Sequence, residues 1–163
     1  MKKALVVYAS KTGTTRDAAN LLSECLGPFC DTYDCRQRGA LRLVDYEVVV
    51  LGTAMYMRKP MKELCDFCQS HGDELLKKSL MLFTCGIETL EEDKKYLWQN
   101  LPPAITQKTL QYFHIGGEIR KNRMGLLSHL IMRDYVKKKG VVPELDRKLI
   151  DEMCLTIKEI LER

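Results

Sequence analysis

No stretch of this chain approaches the ~18–20 consecutive apolar residues that span a bilayer, so any membrane contact it makes is expected to be peripheral. It lacks the spaced Gly followed by Gly-Lys-Ser/Thr of a nucleoside triphosphate loop, and it lacks the Gly-x-Gly-x-x-Gly of a dinucleotide turn. Internal repeats and low-complexity linkers are absent, which excludes solenoids and points to one domain over residues 1–163. A second Cys or His pair that would complete a zinc site with Cys65-x-x-Cys68 is missing too, so no metal is expected. At the N-terminus, Lys2-Lys3 precedes a short apolar run that ends at Ser10-Lys11-Thr12-Gly13, too short for the core of an export signal.

What is present is the composition of a globular protein: 45% hydrophobic and 29% charged residues, enough apolar material for a full core. The seven cysteines are an odd number without the close spacing of a secreted disulfide framework, and a reducing cytoplasm fits them best. The formal net charge of +4 is uneven. Residues 119–140 hold seven basic residues and one acidic, or +6, while the remainder holds 19 basic and 21 acidic, or −2. A mildly acidic body with one basic segment points to an anionic partner: a membrane surface, an acidic protein or a nucleic acid.

The run Ala4–Ala9 is short, continuously apolar and β-branched, as in a strand buried on both faces of a parallel sheet. Thr15, Ala18, Ala19, Leu22, Cys25 and Leu26 then recur at helical spacing up to Gly27-Pro28. The rhythm repeats. Residues 47–52, 80–85 and 111–115 read as further strands, residues 29–35 as a weaker edge strand, and residues 88–100 as a helix. Pro60 is expected to open a helix carrying Met61, Leu64, Cys65 and Cys68 inward, and Pro143 a last helix with Leu149, Ile150, Met153 and Ile157. Alternating strands and helices imply right-handed crossovers and an α/β doubly wound, five-stranded parallel sheet of order 2-1-3-4-5, with a basic helical insertion at about residues 117–140 after the last strand. In that arrangement ligands bind at the carboxyl ends of the strands, so residues 10–15, 53–59 and 84–88 become the loops of interest.

The first of these loops, Ser10-Lys11-Thr12-Gly13-Thr14-Thr15, supplies four hydroxyls and a run of backbone N–H groups at a helix N-terminus. Orphan amides and the helix dipole both favour an anion there, and the position suits a terminal phosphate; the alternative is a Ser/Thr-rich capped helix start. The segment resembles the (S/T)-x-T-G-x-T phosphate loop of flavodoxins, and the strand-helix rhythm resembles that fold over essentially the whole chain. The resemblance implies FMN, with its phosphate held by Ser10, Thr12, Thr14, Thr15 and the amides around Lys11 and Gly13. A narrower resemblance, carried by Gly52-Thr53-Ala54-Met55-Tyr56 and by the basic apolar insertion after Gly116-Gly117, is to the menaquinone-dependent protoporphyrinogen IX dehydrogenases, membrane-associated flavodoxin-like enzymes. It implies an FMN oxidoreductase that oxidises a porphyrinogen and passes electrons to a quinone.

By the flavodoxin analogy, Thr53, Ala54, Met55 and Tyr56, together with Thr84, Cys85, Gly86 and Ile87, flank the isoalloxazine ring. Tyr56 is the candidate to stack on it, or else an ordinary surface or core tyrosine. Arg58-Lys59 places positive charge nearby, which favours an anionic reduced flavin and a higher potential than that of a typical flavodoxin. From Asn122 to Lys139, the residues Met124, Leu127, Leu130, Ile131, Tyr135 and Val136 fall mostly on one helical face bordered by Arg123, Arg133 and Lys137 to Lys139. Such a helix can lie on an anionic bilayer or admit a quinone, or it can pack on the domain or in a homodimer; nucleic acid ranks last, since only Tyr135 offers a stacking surface. Cys25, Cys65, Cys68 and Cys154 read as small buried hydrophobes, and Cys85 as a thiol facing the flavin. His114 and His129 have no evident catalytic partner. Three functions follow from these residues: the oxidoreductase; a soluble flavodoxin-type carrier with redox protein partners; and a flavin-free docking module, which leaves the hydroxyl-rich loop unexplained.

Overall fold

The computed structural model describes every residue except Met1, Arg38, 118–124 and 141–143. Its chain runs β1 (Ala4–Ala9), α1 (Thr14–Leu26), β2 (Cys30–Asp34), β3 (Val48–Tyr56), β4 (Lys59–Pro60), α2 (Lys62–Ser70), α3 (Gly72–Leu75), β5 (Ser79–Cys85), α4 (Leu90–Asn100), α5 (Pro103–Lys108), β6 (Thr109–His114), α6 (Leu126–Lys139) and α7 (Arg147–Glu162). The five long strands pair in parallel in the order β2-β1-β3-β5-β6, the doubly wound order expected from the rhythm of the sequence. The sixth strand, β4, turns back antiparallel on the end of β3.

Strand side chains alternate between two buried faces, which is why the strands read as unbroken apolar runs. Val6, Val48, Val50, Met81 and Phe83 point toward α1 and α7, where Ala18, Ala19, Leu22, Ile150, Met153 and Ile157 meet them. Leu5, Val7, Val49, Leu51, Leu80 and Leu82 point the other way, toward Leu64, Phe67 and Cys68 of α2, Leu75 of α3, Leu97 of α4 and Ile105 of α5. Helices therefore cover both sides of the sheet.

Helix starts are set locally. Thr89 caps α4 by accepting from the Glu92 N–H, while the Glu92 carboxyl accepts from the Thr89 N–H, so two orphan donors are satisfied reciprocally. Asp146 caps α7 through the Leu149 N–H at 3.2 Å. Two expected starts are therefore corrected. Pro143 lies outside the described residues, and the last helix begins at Arg147, where a side-chain acceptor is available. Pro60 does not open a helix, because it closes the β3–β4 hairpin opposite Met55, and α2 starts at Lys62. In the insertion, Met124 of the expected apolar face and Arg123 at its border lie outside the described residues, while Leu127, Leu130 and Ile131 are exposed on α6 and Met132 is buried.

The sequence reading of Cys25 and Cys154 as buried thiols is also corrected. They form a disulfide that ties α1 to α7 across 129 residues, with the two Cα atoms 6.5 Å apart. Ala18, Leu22 and Leu26 hold the inward stripe of α1, and Cys25, at the exposed edge of that stripe, is turned to the flank where α7 lies. The other five cysteines are outside any disulfide. Burial pushes Cys30 up to about 11 and Cys35 up to about 12, and it raises Cys68 further, so these thiols react slowly while the chain is folded. Alkylation of the denatured chain without reductant is expected to label five thiols, and seven after reduction; mass spectrometry showing seven labels before reduction contradicts the bridge.

Candidate functional site

The parallel register brings the carboxyl ends of four strands level. Ala9 of β1 lies opposite Thr53 of β3, Thr53 and Ala54 lie opposite Thr84 and Cys85 of β5, and Thr84 lies opposite His114 of β6. A cleft of about 200 Å³ opens above them, lined by Lys11, Thr12 and Thr14, by residues 54–58 and by residues 85–88. Asp93 and Gly117 border its floor, and Ile131 and Met132 reach it from α6.

The loop after β1 is wound tightly at the start of α1. Gly13 takes φ 97°, a left-handed conformation that glycine adopts without penalty, and its N–H donates to Ser10 Oγ at 3.0 Å. This closes residues 10–13 into a ring and delivers Thr14 and Thr15 as the first helical residues. Both threonines are buried, and their Oγ1 atoms have no hydrogen-bond partner in the structure. Two buried hydroxyls without partners beside a helix N-terminus are costly unless a ligand completes them, and an anion is what the orphan amides of the first turn accept.

The second wall is the β3–β4 hairpin. Met57 and Arg58, at φ 49° and 62°, form its two-residue turn, with both central residues in the left-handed region. Neither is a glycine or asparagine, so the turn holds local strain. Thr53 anchors it: its buried hydroxyl accepts from the Met61 N–H and donates to the Ala54 carbonyl, both at 3.0 Å. Tyr56 stands on the cleft wall with the Lys11 ammonium 3.4 Å above its ring centroid, a cation–π contact. Arg58 is not a lone positive charge, because Glu88 on the facing loop pairs with it at 3.7 Å.

The third wall is the loop after β5. The Gly86 N–H donates to the Gly116 carbonyl at 2.9 Å, and the Ile115 N–H donates to the Thr84 carbonyl at 3.1 Å, so the ends of β5 and β6 are stitched together. The Thr84 hydroxyl is spent within the core, 2.6 Å from Tyr112 Oη. The structure therefore sorts the candidate residues. Lys11, Thr12, Thr14, Ala54, Met55, Tyr56, Cys85, Gly86 and Ile87 line the cleft, Ser10, Gly13, Thr53 and Thr84 shape it from behind, and Thr15, fully buried next to Thr14, has an unpaired hydroxyl.

His114, read from sequence as lacking a partner, has one. Its Nε2 lies 3.0 Å from Oδ2 of Asp93, which is fully buried on α4. The sequence signal for Asp93 was an acid four residues before the buried Leu97, on the inward stripe of α4. His71, in contrast, stacks on Phe67 at 4.3 Å with Nδ1 near the Phe67 carbonyl, away from the cleft. Among the described residues no group of three His, Cys, Asp or Glu is placed to hold a metal.

Arg58→Gly relieves left-handed strain of about 1–2 kcal/mol against about 0.5–1 kcal/mol of added unfolded-chain entropy, so it is expected to raise stability by up to about 1 kcal/mol. Urea unfolding measures this, and a destabilised variant shows that the Arg58–Glu88 pair outweighs the strain.

Comparison with known proteins places this architecture. No curated protein has a sequence that matches the chain. Among solved structures, the chain is similar to a flavodoxin-like WrbA-like protein from Agrobacterium tumefaciens, with 22% identity over 66% of this chain and 74% of that one and a TM-score of 0.52. It is similar to a flavoprotein from Lactobacillus acidophilus determined in complex with FMN, with 10% identity over 70% and 93% of the two chains and a TM-score of 0.56. Over 99% of its length it also follows 36% of rubredoxin oxygen:oxidoreductase from Desulfovibrio gigas, with 14% identity and a TM-score of 0.61. A family model described as the flavodoxin domain matches residues 5–145, from the first strand through the hydroxyl-rich loop and the cleft walls to the bridge at Leu145. The chain belongs to the flavodoxin domain family.

Proposed function

We propose that the chain binds FMN in this cleft and works as a redox flavoprotein. The observation that carries the reading is the pair of partnerless, buried hydroxyls on Thr14 and Thr15 at the N-terminus of α1, where the first-turn amides and the helix dipole suit a phosphate. Lys11, at the mouth of the same loop, adds positive charge. Residues 54–57 and 85–88 form facing walls that suit a planar ring, with Tyr56 offering its aromatic face once Lys11 shifts toward the anion. Bound FMN supplies one- and two-electron chemistry, and the protein orients and tunes it. Arg58 is offset by Glu88, so Lys11 and Lys59 supply the positive field that favours an anionic reduced state. The flavodoxin family and its FMN-bound fold relative fit this reading.

The test is a titration of the protein with FMN and with riboflavin, which lacks the phosphate. Purified protein is expected to show a flavin spectrum and to bind FMN at least tenfold more tightly than riboflavin. Replacing Thr14 and Thr15 by Val is expected to weaken FMN binding about tenfold and leave riboflavin binding unchanged. Equal binding of the two ligands sinks the phosphate assignment.

The finer function is oxidation of a reduced tetrapyrrole, a porphyrinogen, with electrons passed to a quinone; the alternative is exchange of electrons with a redox partner protein. The contribution of Ile131 and Met132 to the lining favours the substrate reading, because with Met57 and Ile87 it gives the cleft an apolar, adaptable surface. The exposed Leu126, Leu127, Leu130 and Ile131, followed by Lys137, Lys138 and Lys139, suit a peripheral site on an anionic bilayer at the cytoplasmic face, where a quinone resides. No helix among the described residues is long and apolar enough to cross a membrane. Co-sedimentation with anionic vesicles is expected for the wild type and lost when Leu126, Leu127 and Leu130 become Ser. Anaerobic assays with porphyrinogen and menaquinone analogues complete the test, and turnover seen only with redox proteins assigns the carrier role.

A further inference from the structure

The bridge between Cys25 and Cys154 joins an exposed position to a closed one. Cys25, in the last turn of α1, is exposed, while Cys154, in the middle of α7, is fully buried with Ile150, Met153 and Ile157. One turn after Cys154, on the same face of α7, Lys158 brings its ammonium to 4.0 Å from Cys25 Sγ. The two helices are not packed along their whole length. A groove of about 580 Å³ opens between Asp17, Leu21 and Glu24 of α1 and Glu144, Leu145 and Arg147 at the entry to α7. That entry is tied to the cleft: the Asp146 N–H donates to the Ile115 carbonyl at 2.9 Å, Leu145 pairs with Gly116, and the Gly116 carbonyl accepts from Gly86 on the cleft wall. The bridge therefore clasps two helices whose contact is open at the end that borders the site.

We propose that Cys25–Cys154 is a thiol–disulfide exchange site for an external dithiol, with Lys158 stabilising the Cys25 thiolate, and that its opening loosens α7 and the strap of residues 144–146 behind the cleft. A thiolate of the dithiol attacks the exposed Cys25 sulfur, so a new S–S bond forms there as the bond to Cys154 breaks. The electron pair leaves on Cys154 Sγ, which takes up a proton because an anion is poorly solvated in that buried place. The second thiolate of the dithiol then attacks its own partner sulfur in the mixed disulfide, and Cys25 leaves as a thiolate beside the Lys158 ammonium. One protein disulfide is reduced to two thiols, one dithiol is oxidised to its disulfide, and the two protons the dithiol gives up are available to the cysteines. In the reverse direction the exposed Cys25 thiolate is the attacking group. Five other cysteines stand outside any disulfide, so this bridge is not part of a disulfide framework.

Reduction of the folded, full-length protein by dithiothreitol, followed by acid quench, alkylation in denaturant and mass spectrometry, tests the exchange. Direct attack on Cys25 is expected to give a rate proportional to dithiothreitol concentration and unchanged by dilute urea. A rate that levels off with dithiothreitol, or that climbs with dilute urea, shows that the chain must open first and overturns the exchange site. Lys158→Met is expected to slow alkylation of Cys25 in the reduced, folded protein about threefold or more at pH 7, and Lys158→Arg to restore it; equal rates in all three proteins overturn the part given to Lys158. On reduction, hydrogen exchange is expected to rise about tenfold in α7 and at residues 144–146 while β1 and β3 stay protected, and the melting temperature to fall by about 5 °C or more. Cys25→Ser cannot form the bridge and is expected to match the reduced protein with or without dithiothreitol. Reduced protein whose α7 exchanges as slowly as that of the oxidised protein overturns the clasp. None of these readouts involves flavin, so their failure leaves the FMN reading standing.

Discussion

Everything at the site depends on the parallel register that levels the carboxyl ends of β1, β3, β5 and β6. Parallel pairing requires every strand to leave the sheet on the same side, so each connection of interest starts from one edge. Between β1 and β3 the winding direction changes, and the loops on either side diverge instead of packing on each other. A cleft results from topology before any side chain is considered. The residues that line it need only decorate an opening the backbone has already made.

The decoration divides into groups that shape the cleft and groups that face into it. Ser10, Thr53 and Thr84 are buried hydroxyl residues of similar chemistry to Thr14 and Thr15, but their oxygens are spent on Gly13, on Met61 and on Tyr112. Thr14 and Thr15 are left unpaired. That contrast gives the phosphate reading its physical content, since a satisfied hydroxyl supports a loop and an unsatisfied buried one awaits a partner. Asp93 is divided between its two oxygens: Oδ2 lies on His114 and Oδ1 has no hydrogen-bond partner.

The basic segment has a different relation to the fold. Helix α6 contributes Met132 as a buried contact and leaves Leu126, Leu127, Leu130 and Ile131 outside. Its lysines gather at the C-terminal turn, where they also complement the helix dipole. The described basic residues Arg133 and Lys137 to Lys139 therefore belong to a helix that lines the cleft with Ile131 and Met132 and leaves Leu126, Leu127 and Leu130 outside.

The amino-acid sequence determined the sheet, the order of its strands and the hydroxyl-rich loop, because buried parallel strands must be continuously apolar and a helix N-terminus must find acceptors for its amides. These are local constraints, and they are written in contiguous residues. The pairing of His114 with Asp93, the disulfide between Cys25 and Cys154, the Lys11 ammonium over Tyr56 and the turn that takes Pro60 out of α2 were decided by tertiary structure. Each joins residues on different elements or depends on which way a helix faces its neighbour. A single buried acid among apolar positions looks like a surface residue until the packing shows what stands on either side of it.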